Sequence, residues 1–195
     1  MSASTTGGNL LLREVLPFGL AMLGLVGAAL ACDAALHLAG LVWIGRWLGI
    51  PGLALILASV GYSVRKRMRG GAGPGALRRH EWQAWAGSLL VLVHAGVDFE
   101  AILAWLAILA MMVNVASGLT GKFLLARARQ RLEANRAGMR AQGLTPEALE
   151  QRLYWDSMTF DAIRQWRAVH VPITMAFGAL ALGHIVSTIL FWTWP

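Results

Sequence analysis

Residues 168–192 read AVHVPITMAFGALALGHIVSTILFW, a run with no Asp, Glu, Lys or Arg and with two histidines, His170 and His184. A helix needs roughly 20 mostly apolar residues to cross ~30 Å of hydrocarbon, so this stretch predicts a membrane span that carries two imidazoles. Four further apolar stretches precede it, at about 16–38, 42–64, 80–97 and 102–125. Alternating strand patterns do not occur, which argues against an outer-membrane barrel. The expected fold class is therefore all-α: a polytopic membrane helical bundle of about five transmembrane helices, forming a single integral membrane domain over residues 1–195. Pro51 and Gly52 in the second span predict a kink whose freed backbone groups are satisfied inside the bundle.

Composition points the same way. Of 195 residues, 57% are hydrophobic and only 14% charged, against about 25% charged in soluble domains. The formal net charge is +7, but the basic residues lie between the apolar runs, where a membrane protein keeps them, so nucleic acid is not an expected partner. Cys32 is the single cysteine, which excludes a disulfide framework, a thiolate cluster and covalent Cys-x-x-Cys-His haem attachment within one chain. Arg13, the first apolar run and Ala29-Leu30-Ala31 resemble a secretory signal, but the run is longer than the usual 7–15 residues, so a span is expected.

The loops set an orientation. Segment 65–79 holds Arg65, Lys66, Arg67, Arg69, Arg78 and Arg79 without an acid, and 122–167 adds nine more basic residues diluted by five acids. The opposite side offers Arg46, with Asp98 and Glu100 in the turn between spans three and four. The positive-inside rule then puts both long loops and the N-terminus in the cytoplasm and the C-terminus in the periplasm of a bacterial inner membrane. Trp43, Trp47, Trp192 and Trp194 mark the outer interface, and Trp82, Trp155 and Trp166 the inner one. Residues 126–167 read as a cytoplasmic amphipathic connector, either touching anionic headgroups or docking a partner subunit. Within it, 122–137 continues the fourth helix, Gly138 and Gly143 break the pattern, and Thr145-Pro146-Glu147 predicts a new helix with Thr as its cap. The glycine-rich segment 70–75 lacks the Lys and Ser/Thr of a phosphate-binding loop and reads as flexible.

The five histidines are His37, His80, His94, His170 and His184. Spans three and five each carry two, fourteen residues apart. Fourteen steps of 100° return to within about 40°, and the rise is about 21 Å, so each helix presents two imidazoles on one face near opposite membrane surfaces. One intervening span makes helices three and five parallel. His80 and His170 then share the cytoplasmic level, and His94 and His184 the outer level. Two imidazoles at each of two levels is what two stacked six-coordinate haems require, and neutral imidazole inside a bilayer is costly enough to expect a function. Hydrogen-bonded packing of the histidines, a metal site and a proton relay are the rival readings. The two levels are too far apart for one ion, and acids are scarce in spans three to five. Gly87 and Gly178, midway between each pair, fit either the approach of a flat macrocycle or ordinary helix packing. Arg79 and Arg167 are placed either to pair with haem propionates or to anchor the helices by charge. His37, near Asp33, hydrogen-bonds in the bundle or lies among headgroups, lines a quinone site, or replaces one of the four ligands.

Two helices each bearing His-x13-His, separated by one helix, resemble the haem-binding core of the cytochrome b subunits of quinol-oxidising complexes. Arg79-His80…His94-Ala95-Gly96 and Trp166…His170-Val171-Pro172…His184-Ile185 also resemble small bacterial di-haem cytochrome b proteins that anchor redox complexes. The similarity covers roughly 80–192. It implies two haems b held between parallel helices three and five, with axial pairs His80/His170 and His94/His184. The chain is much shorter than a full cytochrome b and lacks the Pro-Glu-Trp-Tyr quinol motif, so bifurcating quinol chemistry does not carry over. Anchors of formate dehydrogenases and hydrogenases spread their histidines over more helices.

The expected function is transmembrane electron transfer, as the membrane cytochrome b subunit of an oxidoreductase complex rather than a catalyst alone. Its expected partners are the lipid bilayer, redox subunits (a cytochrome c or an iron–sulfur protein) and, as a further ligand, quinone. A haem-free anchor or assembly subunit and a small proton or metal transporter are the alternatives.

Overall fold

The computed structural model describes residues 15–69, 73–96 and 102–191. These are helical almost throughout, with no strand among them. The elements are α1 (Leu16–Leu38), α2 (Val42–Trp47), α3 (Gly49–Arg69), α4 (Pro74–Ala95), α5 (Ile102–Leu119), a π-helical turn (Thr120–Leu125), α6 (Ala126–Ala141), α7 (Pro146–Ala168) and α8 (His170–Phe191).

Four segments are long and apolar enough to cross a membrane: Leu16–Leu38, Val42–Tyr62, Ile102–Ala141 and His170–Phe191. The third expected span corresponds to α4. Its 22 residues reach about 33 Å, but Arg78, Arg79 and Glu81 make its first turns less apolar than the other four segments. Large apolar side chains cover the outside of these helices. Leu23, Leu30 and Leu38 on α1, Leu109 on α5, and Met175, Leu182, Ile189 and Phe191 on α8 are all more than half exposed, a surface that water does not tolerate on this scale and lipid does.

Prolines and glycines set the element boundaries. Pro51 has no N–H to donate to Trp47, and the second span is interrupted at Leu48, three residues before it; Gly52 N–H resumes the ladder on the Leu48 carbonyl at 3.0 Å. Pro172 separates α7 from α8 at Val169 in the same way. The expected kink is thus a short break ahead of the proline. Gly40, at φ +68°, ends α1, with Leu41 N–H on Leu36 O (2.8 Å) and Gly40 N–H on His37 O (3.1 Å). Gly143, at φ +74°, ends α6 by the same paired bonds, Leu144 to Met139 and Gly143 to Arg140. Both use the left-handed freedom of glycine to satisfy terminal carbonyls. Gly138, expected as a breaker, is carried inside α6, because the cap five residues later supplies the stop. The start of α7 is as expected: Thr145 Oγ1 accepts the Ala148 N–H at 3.4 Å, with Pro146 first in the helix.

The chain forms two compact units, Met1–Ala21 with Ala116–Ile173 and Met22–Val115 with Thr174–Pro195. In the first, α6 and α7 pack as an antiparallel hairpin with Leu149 and Leu153 buried. The π turn at its base coincides with Thr120 Oγ1 donating back to the Ala116 carbonyl at 2.8 Å, a side-chain intrusion that loosens the helical ladder. In the second, Ile56 of α3, Ala107 and Met111 of α5 and Phe177 of α8 form the buried core, with Leu53, Val91, Leu92 and Leu180 packed against it. Thr174 Oγ1 donates to Asn114 Oδ1 at 2.9 Å, a polar clamp between α8 and α5. Gly87 and Gly52 bring α4 and α3 into backbone contact: a Cβ on Gly87 would stand 2.7 Å from the Gly52 carbonyl oxygen.

Candidate functional site: the histidine levels

His94 and His184 meet in the second unit. Their ring centroids are 6.4 Å apart, with the planes inclined at 62°. His94 ends α4, and its Nδ1–H donates to the Gly45 carbonyl of α2 at 3.4 Å. Its ring also covers Gly49, where a Cβ would stand 2.8 Å from Cδ2 and 3.0 Å from Nε2. The pair Gly45-x-x-x-Gly49 therefore forms the seat of this imidazole, one residue as acceptor and the other as empty space. On α8, the carbonyl of His184 accepts from Ser187 Oγ and Thr188 Oγ1, each at 2.8 Å.

His80 lies two turns into α4, fourteen residues before His94. Its Nδ1–H donates to the Ser59 carbonyl of α3 at 2.9 Å, and its ring stacks on Tyr62, 5.1 Å between centroids and 24° between planes. His170 belongs to the other compact unit, where it opens α8 and shares a hydrogen bond through Nδ1 with the fully buried Ser117 of α5. A donating Nδ1–H fixes the tautomer with its lone pair on Nε2, the nitrogen then suited to bind a metal. His80 and His94 are set this way by carbonyls.

His94 and His184 are imidazole donors of the type that could hold an iron porphyrin, and their ring centroids stand 6.4 Å apart. Among the described residues no group of three or more His, Cys, Asp or Glu comes together.

The glycines divide. Gly87 serves the α3–α4 crossing, and Gly178 has nothing within 4 Å of its Cβ position. Arg79 is exposed, and the side chains of Trp155, Trp166 and Arg167 lie outside the described residues, as do Trp192 and Trp194. Trp43, Trp47 and Trp82 are more than half exposed, as interfacial tryptophans are. His37 donates through Nδ1 to the Asp33 carbonyl at 3.0 Å and stands 3.6 Å from Asp33 Oδ1. The Asp33 carboxylate in turn packs on Gly96, whose Cβ position is 3.2 Å from it.

Sequence reading missed the anchors: the Gly45 and Ser59 carbonyls, Ser117 and the Tyr62 stack. Ser117 alone carried a usable signal, a polar residue near the end of a strongly apolar run, where a hydrogen-bond partner is expected. Compared with known protein families, characterised proteins and solved structures, the chain matches none.

Proposed function

We propose that this chain is a di-haem membrane cytochrome b that carries electrons across the bilayer. The observation that supports the reading is the His94/His184 couple, two imidazoles from different helices with ring centroids 6.4 Å apart, close enough for both to serve one haem. The anchoring of His80 on Ser59 and of His94 on Gly45 supports it, because a ligand needs its ring orientation and tautomer fixed before the metal arrives. The inner couple, His80 with His170, follows from the repeated fourteen-residue spacing.

Bound haem b supplies a one-electron couple at each level. His80, His94, His170 and His184 would hold the two groups, and haem held by protein imidazoles alone favours electron transfer over catalysis. Apolar surroundings and the carbonyls behind His80 and His94 would tune the two potentials. With the N-terminus in the cytoplasm and the C-terminus in the periplasm of a bacterial inner membrane, α4 and α8 would run parallel, and electrons would pass between quinone and a peripheral redox subunit such as a cytochrome c or an iron–sulfur protein. Asp33 and His37, at the end of α1, are the polar pair that a quinol hydroxyl would meet. The test is a dithionite-reduced minus oxidised spectrum of the purified full chain. A sharp low-spin b-type band is expected; a colourless preparation that stays colourless after haem is added would reject the reading.

A further inference from the structure

Within the α6–α7 hairpin a cleft is lined by Gly121, Leu125, Arg129, Glu133, Phe160 and Arg164, with Gln130 at its edge. Its polarity runs along the hairpin. Gly121 and Leu125 belong to the end of the apolar run 102–125, while Arg129 and Arg164 come from opposite helices and are exposed. Arg129 is four residues beyond the end of that run, and Arg164 four residues before the start of the run 168–192. Four residues of helix rise about 6 Å. Each interfacial layer of a bilayer is about 5–8 Å deep, from the difference between ~30 Å of hydrocarbon and ~40–45 Å overall. The two guanidinium groups therefore reach the depth of the lipid phosphates by two independent routes along the chain.

Charge and shape agree with that depth. Among the described residues Glu133 is the one acid lining the cleft, and it accepts from Arg129 Nε at 2.9 Å. These described groups leave one positive charge in excess, from two arginines and one glutamate. A phosphodiester carries one negative charge. On the membrane side of the arginines, Gly121 and Leu125 offer a floor for the glycerol and upper acyl carbons, while Phe160, one turn before Arg164 on α7, closes the opposite end of the cleft. We propose that this cleft binds one anionic phospholipid of the cytoplasmic leaflet, its phosphate between Arg129 and Arg164 and its glycerol and upper acyl carbons on Gly121 and Leu125. The inference is independent of the haem reading, since it uses other residues and another ligand.

The test is native mass spectrometry of the full-length protein, released from detergent and titrated with phosphatidylglycerol, phosphatidylcholine or inorganic phosphate. One phosphatidylglycerol is expected to remain bound to the wild type, with phosphatidylcholine much weaker and phosphate alone failing to displace the lipid at equal concentration. R129Q or R164Q should each weaken that binding about fivefold and the pair roughly thirtyfold, while R136Q/R140Q, away from this cleft, should leave it unchanged. R164K, which keeps the charge, should restore part of the loss and guards against a folding defect. Equal affinity for the two lipids, or an unaltered R129Q/R164Q variant, would overturn the proposal. So would displacement of the lipid by phosphate alone, which would reduce the cleft to a general anion site.

Discussion

The position of one ring atom depends on a missing methyl group. At Gly49 an added Cβ would lie 2.8–3.0 Å from three atoms of the His94 imidazole, and because the obstacle is a side-chain ring, the ring is what must move. Gly49→Ala should therefore displace His94 from its partner His184 and weaken haem binding at that level by about 10–100-fold, the usual cost of disturbing a ligand's supporting shell. Haem retention during dilution in detergent measures it, and retention equal to wild type would show that the seat does not matter. Gly87 meets backbone instead, 2.7 Å from the Gly52 carbonyl oxygen, and backbone cannot turn aside. Gly87→Ala should cost about 1–3 kcal/mol by overpacking the α3–α4 crossing, seen as a lower midpoint of thermal unfolding in detergent whether or not haem is bound.

Among the elements, the readable features were those with local causes. Apolar length, the Thr145-Pro146 start and the proline-led break in the second span all follow from residues next to the event. What could not be read were contacts at long separation: the carbonyl of residue 45 under residue 94, or of residue 59 under residue 80, belongs to a backbone group that every residue possesses. The fourteen-residue spacing is legible because helix geometry turns it into a shared face on each helix, and the parallel order expected of the two helices puts His94 and His184 at one level. Gly138 was misread as a breaker, since a single glycine inside a helix costs only about 1 kcal/mol, less than its neighbours contribute. The true stop, Gly143, gives an element-level prediction. Gly143→Ala forces a Cβ into a backbone at φ +74° and should cost about 1 kcal/mol, raising amide exchange around residues 138–149 while leaving α4 and α8 unaffected. Equal exchange there would contradict the cap assignment.

At the scale of the whole molecule, exposed leucines on α1, α5 and α8 and Phe191 on α8 mark a surface suited to lipid, and the positive charge is concentrated in two segments, 65–79 and 122–167. If those segments face the cytoplasm, a periplasm-dependent phosphatase reporter fused after residue 195 should be active and one fused at residue 143 inactive; the reverse pattern would invert the orientation. Of everything proposed, the sharpest commitment is that His94 and His184 hold the same iron. Haem stoichiometry and redox titration of His94→Ala and His184→Ala against wild type address it directly. Wild type is expected to bind two haems per chain with two midpoint potentials, and each variant to keep one haem, both losing the same potential. Loss of different haems from the two variants, or full haem content in either, would contradict the account.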